Sequence, residues 1–141
     1  ITYLRQAADL GNTSSIYSLG YEYYAGEIIH ADKQKALEYM KKSADEGYTF
    51  ACAVLGTMYY SGEEGMAAKD YKKAFEYLSI AVKDAASLNE DLLAEVYKNL
   101  GACYRFGRGT DKDQSLASYY TEQAAKYGDK SSVDAVKMMR K

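Results

Sequence analysis

Several residue types that mark common protein classes are rare or missing in this 141-residue chain, which has one histidine, two cysteines, no proline and no tryptophan. The single histidine, His30, cannot supply a histidine pair for a metal and has no cysteine near it in the sequence for a catalytic dyad. The two cysteines, Cys52 and Cys103, are too few for a disulfide scaffold and do not stand in C-x-x-C spacing. These absences weigh against a metalloenzyme, a cysteine hydrolase and a disulfide-stapled domain.

Motifs for cofactor and nucleotide chemistry are also lacking. The glycines of Gly107-Arg108-Gly109 have neither the third glycine of a dinucleotide site nor the Lys-Ser/Thr of a P-loop. No S-x-x-K sequence occurs, which removes the nucleophile motif of penicillin-binding proteins and β-lactamases. We therefore expect no catalytic residue, no cofactor and no metal ligand.

Long hydrophobic runs and an excess of one charge are absent too. The longest nearly apolar run, residues 50–60, is about half of the roughly 20 residues that span a bilayer. The formal net charge is -2 with both signs interspersed, so neither nucleic acid nor an anionic membrane is favoured as a partner. The chain opens on Ile1 with no recognisable signal segment, so we expect a fragment or processed product whose localisation, cytoplasmic or exported, is open.

What the chain does have is a repeated pattern. The segments LGYEYYAG (19–26), LGTMYYSG (55–62) and LGACYRFG (100–107) share Leu-Gly, a later Tyr and a final Gly. Each is followed by a second block, namely DKQKALEYMKKSADEG (32–47), DYKKAFEYLSIAVKDA (70–85) and DQSLASYYTEQAAKYG (113–128). Apolar residues in both kinds of block fall at helical spacing, with Gly after each first block and Asp at the start of each second one. The pattern predicts helix, turn, helix, turn.

A pair of short helices cannot bury its own apolar face, so neighbouring pairs must stack. We predict an all-α, right-handed α/α superhelix, or solenoid, of antiparallel helix pairs in one domain, divided at 1–11, 12–47, 48–85, 86–128 and 129–141. Glycine inside a helix costs about 1 kcal/mol against alanine, yet Gly20, Gly56 and Gly101 lie mid-helix, which predicts close approach of the paired helix. Ser87 and Glu90 form a possible capping box before the third copy.

These segments resemble the Sel1-like repeat, a relative of the tetratricopeptide repeat with the pattern L-G-x-x-Y-x-x-G-x-G followed by D-x-x-K-A-x-x-Y. The resemblance covers nearly the whole chain and implies a non-enzymatic adaptor that gathers other proteins. Some cysteine-rich bacterial members are described as penicillin-binding or β-lactamase-like, which is one alternative. A spacer or self-association module of a longer repeat protein is a second alternative.

Helical geometry separates two groups of tyrosines. Seven lie with the packing residues, and we predict that they fill the core: Tyr3, Tyr23, Tyr39, Tyr59, Tyr77, Tyr104 and Tyr120. A second stripe lies on the first helix of each repeat, which in tetratricopeptide-like superhelices lines the concave side. It consists of Ser14, Tyr17, Tyr21 and Tyr24, then Phe50, Ala53, Thr57 and Tyr60, then Glu95, Lys98, Ala102 and Arg105.

Exposed aromatic rings with an arginine nearby have the composition of binding hot spots. We therefore predict that this stripe binds a peptide or a partner protein, with an acidic group of the partner near Lys98 and Arg105. The alternative is that these rings are half-buried against neighbouring helices or flanking repeats. We expect a monomer, with self-association possible.

Overall fold

The computed structural model describes residues 33–63 and 67–139 of the chain. These ranges contain six α-helices and no strand: α1 (Lys33–Asp45), α2 (Thr49–Ser61), α3 (Tyr71–Val82), α4 (Glu90–Phe106), α5 (Gln114–Lys126) and α6 (Lys130–Met139). A short 3-10 helix, Ala85–Ser87, lies between α3 and α4. The protein is therefore all-α, as the repeat pattern predicts.

The helix starts follow the aspartates of the repeat. Asp70 accepts a hydrogen bond from the backbone N–H of Lys73 (3.1 Å), and Asp113 accepts one from Leu116 (3.0 Å). Both aspartates are N-caps, which satisfy backbone donors that have no partner within the helix. At the other end, Gly107 has the left-handed conformation (φ 69°) that follows many helices. The helix starts predicted at the two aspartates and the helix end predicted at Gly107 are confirmed.

The capping box predicted at Ser87 and Glu90 is wrong. The cap of α4 is Asn89, whose side chain accepts a hydrogen bond from the N–H of Leu92 (2.9 Å). Ser87 belongs to the 3-10 turn, and its hydroxyl donates to Asp84 (2.6 Å). Ser87 thus ends a separate turn, the cap lies two residues later than predicted, and α4 begins at Glu90 and has 17 residues.

The helices pair in sequence order. The most extensive contacts join α2 to α3 and α4 to α5, and further contacts join each pair to its neighbours. In addition α2 touches α4 directly, whereas α3 and α5 meet at most sparsely. The first helices α2 and α4 therefore lie side by side, each with its own second helix packed against it, as in a helical-repeat solenoid.

The mid-helix glycines mark the closest approach within each pair. A Cβ atom on Gly56 would lie 2.6 Å from Cγ of Leu78 on α3. A Cβ atom on Gly101 would lie 2.9 Å from Oγ1 of Thr121 on α5. Real Cβ atoms do not come so close to other atoms, so the second helix occupies the space that a side chain would need. The predicted reason for these glycines is confirmed at both described positions.

The described repeat tyrosines pack as predicted. Tyr59 is 4% exposed, and its ring stacks on that of Tyr77 across α2 and α3, with centroids 6.1 Å apart. Tyr104 and Tyr120 stack in the same way across α4 and α5 at 5.8 Å. Tyr39 is partly buried against the core. Tyr3 and Tyr23 lie outside the described residues.

Candidate partner-binding surface

The predicted surface is the stripe along the first helices. Six of its predicted binding residues are described and all are partly buried: Phe50, Thr57 and Tyr60 on α2, and Glu95, Lys98 and Arg105 on α4. Four others lie outside the described residues: Ser14, Tyr17, Tyr21 and Tyr24. We call the α2 and α4 positions, together with Ala53 and Ala102, the first-helix face.

On α4 this face borders a cleft of about 210 Å³. The cleft lies where α4 meets α5 and the start of α6, and its lining residues are Lys98, Ala102, Arg105, Thr121, Ser131, Ser132 and Ala135. Three of the four stripe positions on α4 therefore meet at one concave site. The lining combines two cations with hydroxyl groups and two small apolar residues, so it presents hydrogen-bond donors to whatever enters.

Side-chain contacts orient both cations without neutralising them strongly. Lys98 Nζ lies 3.2 Å from Oε1 of Glu95, but both side chains are more than a third exposed, so the pair contributes at most about 1 kcal/mol. Arg105 donates from Nη2 to Oγ1 of Thr121 (3.1 Å), which itself donates to the carbonyl of Ala117 (2.8 Å). The guanidinium of Arg105 is thus held at the wall of the cleft by a neutral group.

One carboxylate near the cleft is already engaged. Burial opposes the ionisation of Asp129, but hydrogen bonds from Ser132 and Ser131 and the charge of Lys98 outweigh it, so the pKa of Asp129 is lowered. The Ser132 backbone N–H and hydroxyl both donate to Asp129 Oδ2, at 2.9 and 2.6 Å. The carboxylate of Asp129 therefore stays ionised, and its hydrogen bonds hold it at the start of α6.

The α2 part of the face is built differently. Thr57 donates its hydroxyl back to Ala53 of the same helix (3.0 Å), and the ring of Phe50 lies against that of Tyr48, with centroids 6.4 Å apart. Tyr60 receives a short hydrogen bond, 2.6 Å, from Nη1 of Arg108. Of the described α2 stripe, Tyr60 is thus the residue tied most directly to the next repeat.

Sequence reasoning missed three residues that assemble around Tyr60. The guanidinium of Arg108 lies over the rings of Phe106, Tyr71 and Tyr60, at 4.7, 5.1 and 5.8 Å from their centroids. The rings of Tyr60 and Tyr71 are themselves 5.3 Å apart. We call Tyr60, Tyr71, Phe106 and Arg108 the Arg108 cluster. Burial raises the pKa of Tyr60, so its hydroxyl stays neutral and accepts from the arginine.

Phe106 departs from the repeat pattern in the sequence itself. Phe106 precedes the glycine that ends its block, where the other two copies have Ala25 and Ser61. A large apolar side chain that replaces two small ones on the exposed end of a helix is a departure from the repeat, and Phe106 is 55% exposed. The partner of Tyr60, in contrast, is 48 residues away in sequence and gives no local signal.

The described residues offer little for catalysis. No group of three or more His, Cys, Asp or Glu side chains in 33–63 and 67–139 could hold a metal ion. Cys52 and Cys103 are free, buried thiols, and burial raises the pKa of Cys103 to about 11. His30 lies outside the described residues. Within the same ranges, no helix is long and apolar enough to cross a membrane.

Stacked helix pairs, a layer of first helices and glycines at each pair's crossing define an α-helical repeat protein. The family model of the Sel1 repeat matches residues 1–12, 13–48, 49–84 and 94–129, and the chain belongs to the Sel1 repeat family. Proteins of this family are typically non-enzymatic repeat scaffolds that mediate contacts between proteins. No protein of curated function matches the chain.

Solved structures similar to the chain have the same repeats. A Sel1 repeat protein from Oxalobacter formigenes is 26% identical with a TM-score of 0.76, and the match covers 96% of each chain. Helicobacter pylori cysteine rich protein B is 22% identical with a TM-score of 0.58, covering 94% of this chain and 93% of that one. Escherichia coli c5321, a protective antigen of uropathogenic strains, is 24% identical with a TM-score of 0.57; the chain covers 35% of it. The last two structures are less than 25% identical to this chain, so their similarity shows the fold alone.

Proposed function

We propose that this protein is a non-enzymatic scaffold that binds a peptide segment of a partner protein along its first-helix face. The observation that carries the proposal is the cleft beside α4, where Lys98, Ala102 and Arg105 line one concavity. These positions differ between the repeats, as Ala53, Thr57 and Tyr60 on α2 show. Variation on one face of a constant framework is what partner specificity requires.

The size of the cleft favours a side chain of a longer ligand over a separate small molecule. About 210 Å³ is below the roughly 300–1,000 Å³ of typical small-molecule sites. One or two side chains of an extended segment fill such a space, while the rest of the segment runs along α2. An acidic side chain fits best at the α4 end, because Lys98 and Arg105 both donate hydrogen bonds there and neither has a strong ion-pair partner among the described residues.

The test is to fill the cleft without disturbing the core. Peptides are first selected from a random 12-residue display library on the immobilised protein, and their affinities are measured by calorimetry. Ala102→Arg keeps a good helix former on α4 but fills the cleft and adds a charge. Ala86→Arg, at an exposed position of the 3-10 turn, is the matched control.

We expect Ala102→Arg to weaken binding of the selected peptides at least tenfold and Ala86→Arg to leave it unchanged. Equal affinity for both variants would show that the cleft is not part of the binding surface. Failure of the selection to enrich any peptide would also count against the proposal. As an adaptor, the protein should also give no turnover of the β-lactam nitrocefin.

A further inference from the structure

The Arg108 cluster lies at the carboxyl ends of α2 and α4, beyond the cleft and at the edge of the first-helix face. Phe106 is one of the large apolar residues most exposed in the described ranges, at 55%, and it lies directly beside a guanidinium. An exposed aromatic ring, a tyrosine and an arginine in contact have the composition of an interface hot spot. Phe106 is not among the residues of the hydrophobic core or those packed against it, and the equivalent residue of α2 is Ser61.

Arg108 is held in place and still has donors to offer. Its Nη1 bonds to Tyr60, while the guanidinium lies over the rings of Tyr71 and Phe106. A guanidinium has five N–H donors, so most remain for a ligand, and no carboxylate of the described residues pairs with it. The nearby acids Asp70 and Asp113 are both engaged as helix caps.

The loop that carries Arg108 is fixed against the preceding repeat. The N–H of Arg108 donates to the carbonyl of Cys103 (2.9 Å), which anchors the residue to the end of α4. Gly109 has φ 76° and packs so closely on α3 that a Cβ atom would overlap the carbonyl oxygen of Tyr71. A donor held in this way loses little conformational entropy on binding, so ordering of the loop does not reduce the affinity that its hydrogen bonds provide.

The charge around the cluster indicates the kind of partner. Lys69 lies over the outer part of the cluster, with Nζ 5.7 Å from the centroid of Tyr71, and the side chain of Lys112 lies beside Gly107. Arg108, Lys69 and Lys112 are thus three cations within or beside the cluster. The fork of an arginine matches the two oxygens of a carboxylate, whereas an apolar side chain is needed to cover the ring of Phe106.

We propose that the Arg108 cluster is an anchor site for an acidic segment of a partner protein, in which an Asp or Glu bonds to Arg108 and an adjacent apolar or aromatic side chain covers Phe106. The proposal goes beyond binding in the α4 cleft, because it assigns a second contact to residues outside the predicted stripe. It has its own variants and can fail separately.

The experiment uses the peptides selected on the wild-type protein, and affinities are measured by calorimetry. Phe106→Ala removes an exposed ring, and Arg108→Gln removes the charge but keeps a polar side chain. Two matched controls lie elsewhere: Tyr119→Ala removes a ring that is 51% exposed on α5, and Lys126→Gln removes a cation that lies 5.9 Å from the ring centroid of Tyr127. Circular dichroism melts check that each variant is folded.

We expect the selected peptides to be enriched in Asp or Glu within two residues of an apolar or aromatic residue. Phe106→Ala and Arg108→Gln should each weaken binding at least tenfold, while the two controls stay within twofold. Changing the acidic residue of the peptide to its amide should also weaken binding to the wild-type protein at least tenfold. The same change should not weaken binding to Arg108→Gln further, because that variant already lacks the contact with the acid.

Two results would overturn the inference: selected peptides without acidic enrichment, or peptides that bind Arg108→Gln and Phe106→Ala as tightly as the wild type. Loss of affinity with Ala102→Arg but not with Arg108→Gln would keep the proposed function and reject the cluster. The reverse pattern would keep the cluster and reject the cleft.

Discussion

Replacing Gly56 with alanine tests the packing of the repeat most sharply. Alanine in place of a helical glycine ordinarily stabilises by about 1 kcal/mol. Here the new methyl group would lie 2.6 and 2.7 Å from Cγ and Cδ2 of Leu78, and 3.1 Å from its backbone nitrogen. Leu78 is fully buried, so it cannot move aside cheaply. Overpacking of a core costs about 1–3 kcal/mol, and with contacts this close we expect a net loss of about 2 kcal/mol.

A double-mutant cycle separates the steric cause from any other. Leu78→Ala alone should cost about 2–5 kcal/mol through the cavity it leaves. It also removes the two side-chain atoms that the Gly56→Ala methyl group would meet. In that background Gly56→Ala should therefore cost little or nothing, which gives a coupling energy of about 2 kcal/mol between the two positions.

The measurement is urea unfolding of the four proteins followed by far-ultraviolet circular dichroism, because the chain has no tryptophan. Two further glycine-to-alanine variants provide free energies of unfolding for comparison. Gly101→Ala should cost less than Gly56→Ala, since its nearest neighbour is the hydroxyl of Thr121. Gly47→Ala meets no atom within 4 Å but has φ 90°, so it should cost about 1–2 kcal/mol through the backbone alone. The reasoning is refuted if Gly56→Ala stabilises the protein or its cost is the same with and without Leu78.

Three other predictions concern local features. Asn89→Ala should cost about 1 kcal/mol as the loss of an N-cap, whereas Ser87→Ala should cost clearly less in the same unfolding assay; equal losses would restore the capping box predicted from sequence. The thiol of Cys103, buried and with its pKa raised to about 11, should react with a disulfide reagent at pH 8 only as fast as the protein opens; rapid reaction of the native protein would contradict its burial. Burial, with the charge of Asp45 and the hydrogen bond to it, raises the pKa of Tyr77 to about 12 from 10. The stability linked to Tyr77 is therefore complete below pH 10 and is lost as the pH rises toward 12. Tyr77→Phe should lose less stability over that range and show one late-titrating tyrosine fewer by absorbance; an unchanged titration would assign the shift to another residue.

The fold could be predicted because each repeat carries its own local signals. Asp70 and Asp113 cap helices through bonds three residues away, and Gly56 and Gly101 are explained by a neighbour within the same pair. The start of α4 could not be placed in this way, because the extra residues before it have no counterpart in the other copies. Neither the cap at Asn89 nor the 3-10 turn that leads up to it was predicted from the sequence.

The candidate surface was predictable only where it follows helical periodicity. That periodicity placed Lys98, Ala102 and Arg105 on one stripe, and these residues line one cleft. It could not reveal that Arg108, in a loop, would reach Tyr60 from the following repeat. Such contacts depend on how repeats stack, which a single repeat does not encode.

The most direct test of the account is to observe where a bound peptide lies. A display-selected peptide is added to the isotope-labelled protein, and changes in the backbone amide NMR signals are mapped along the chain. The account predicts the largest changes on the first-helix face of α4, at Lys98, Ala102 and Arg105, with smaller ones at the end of α2 near Tyr60. Changes concentrated on the second helices α3 and α5, with α4 unaffected, would contradict it.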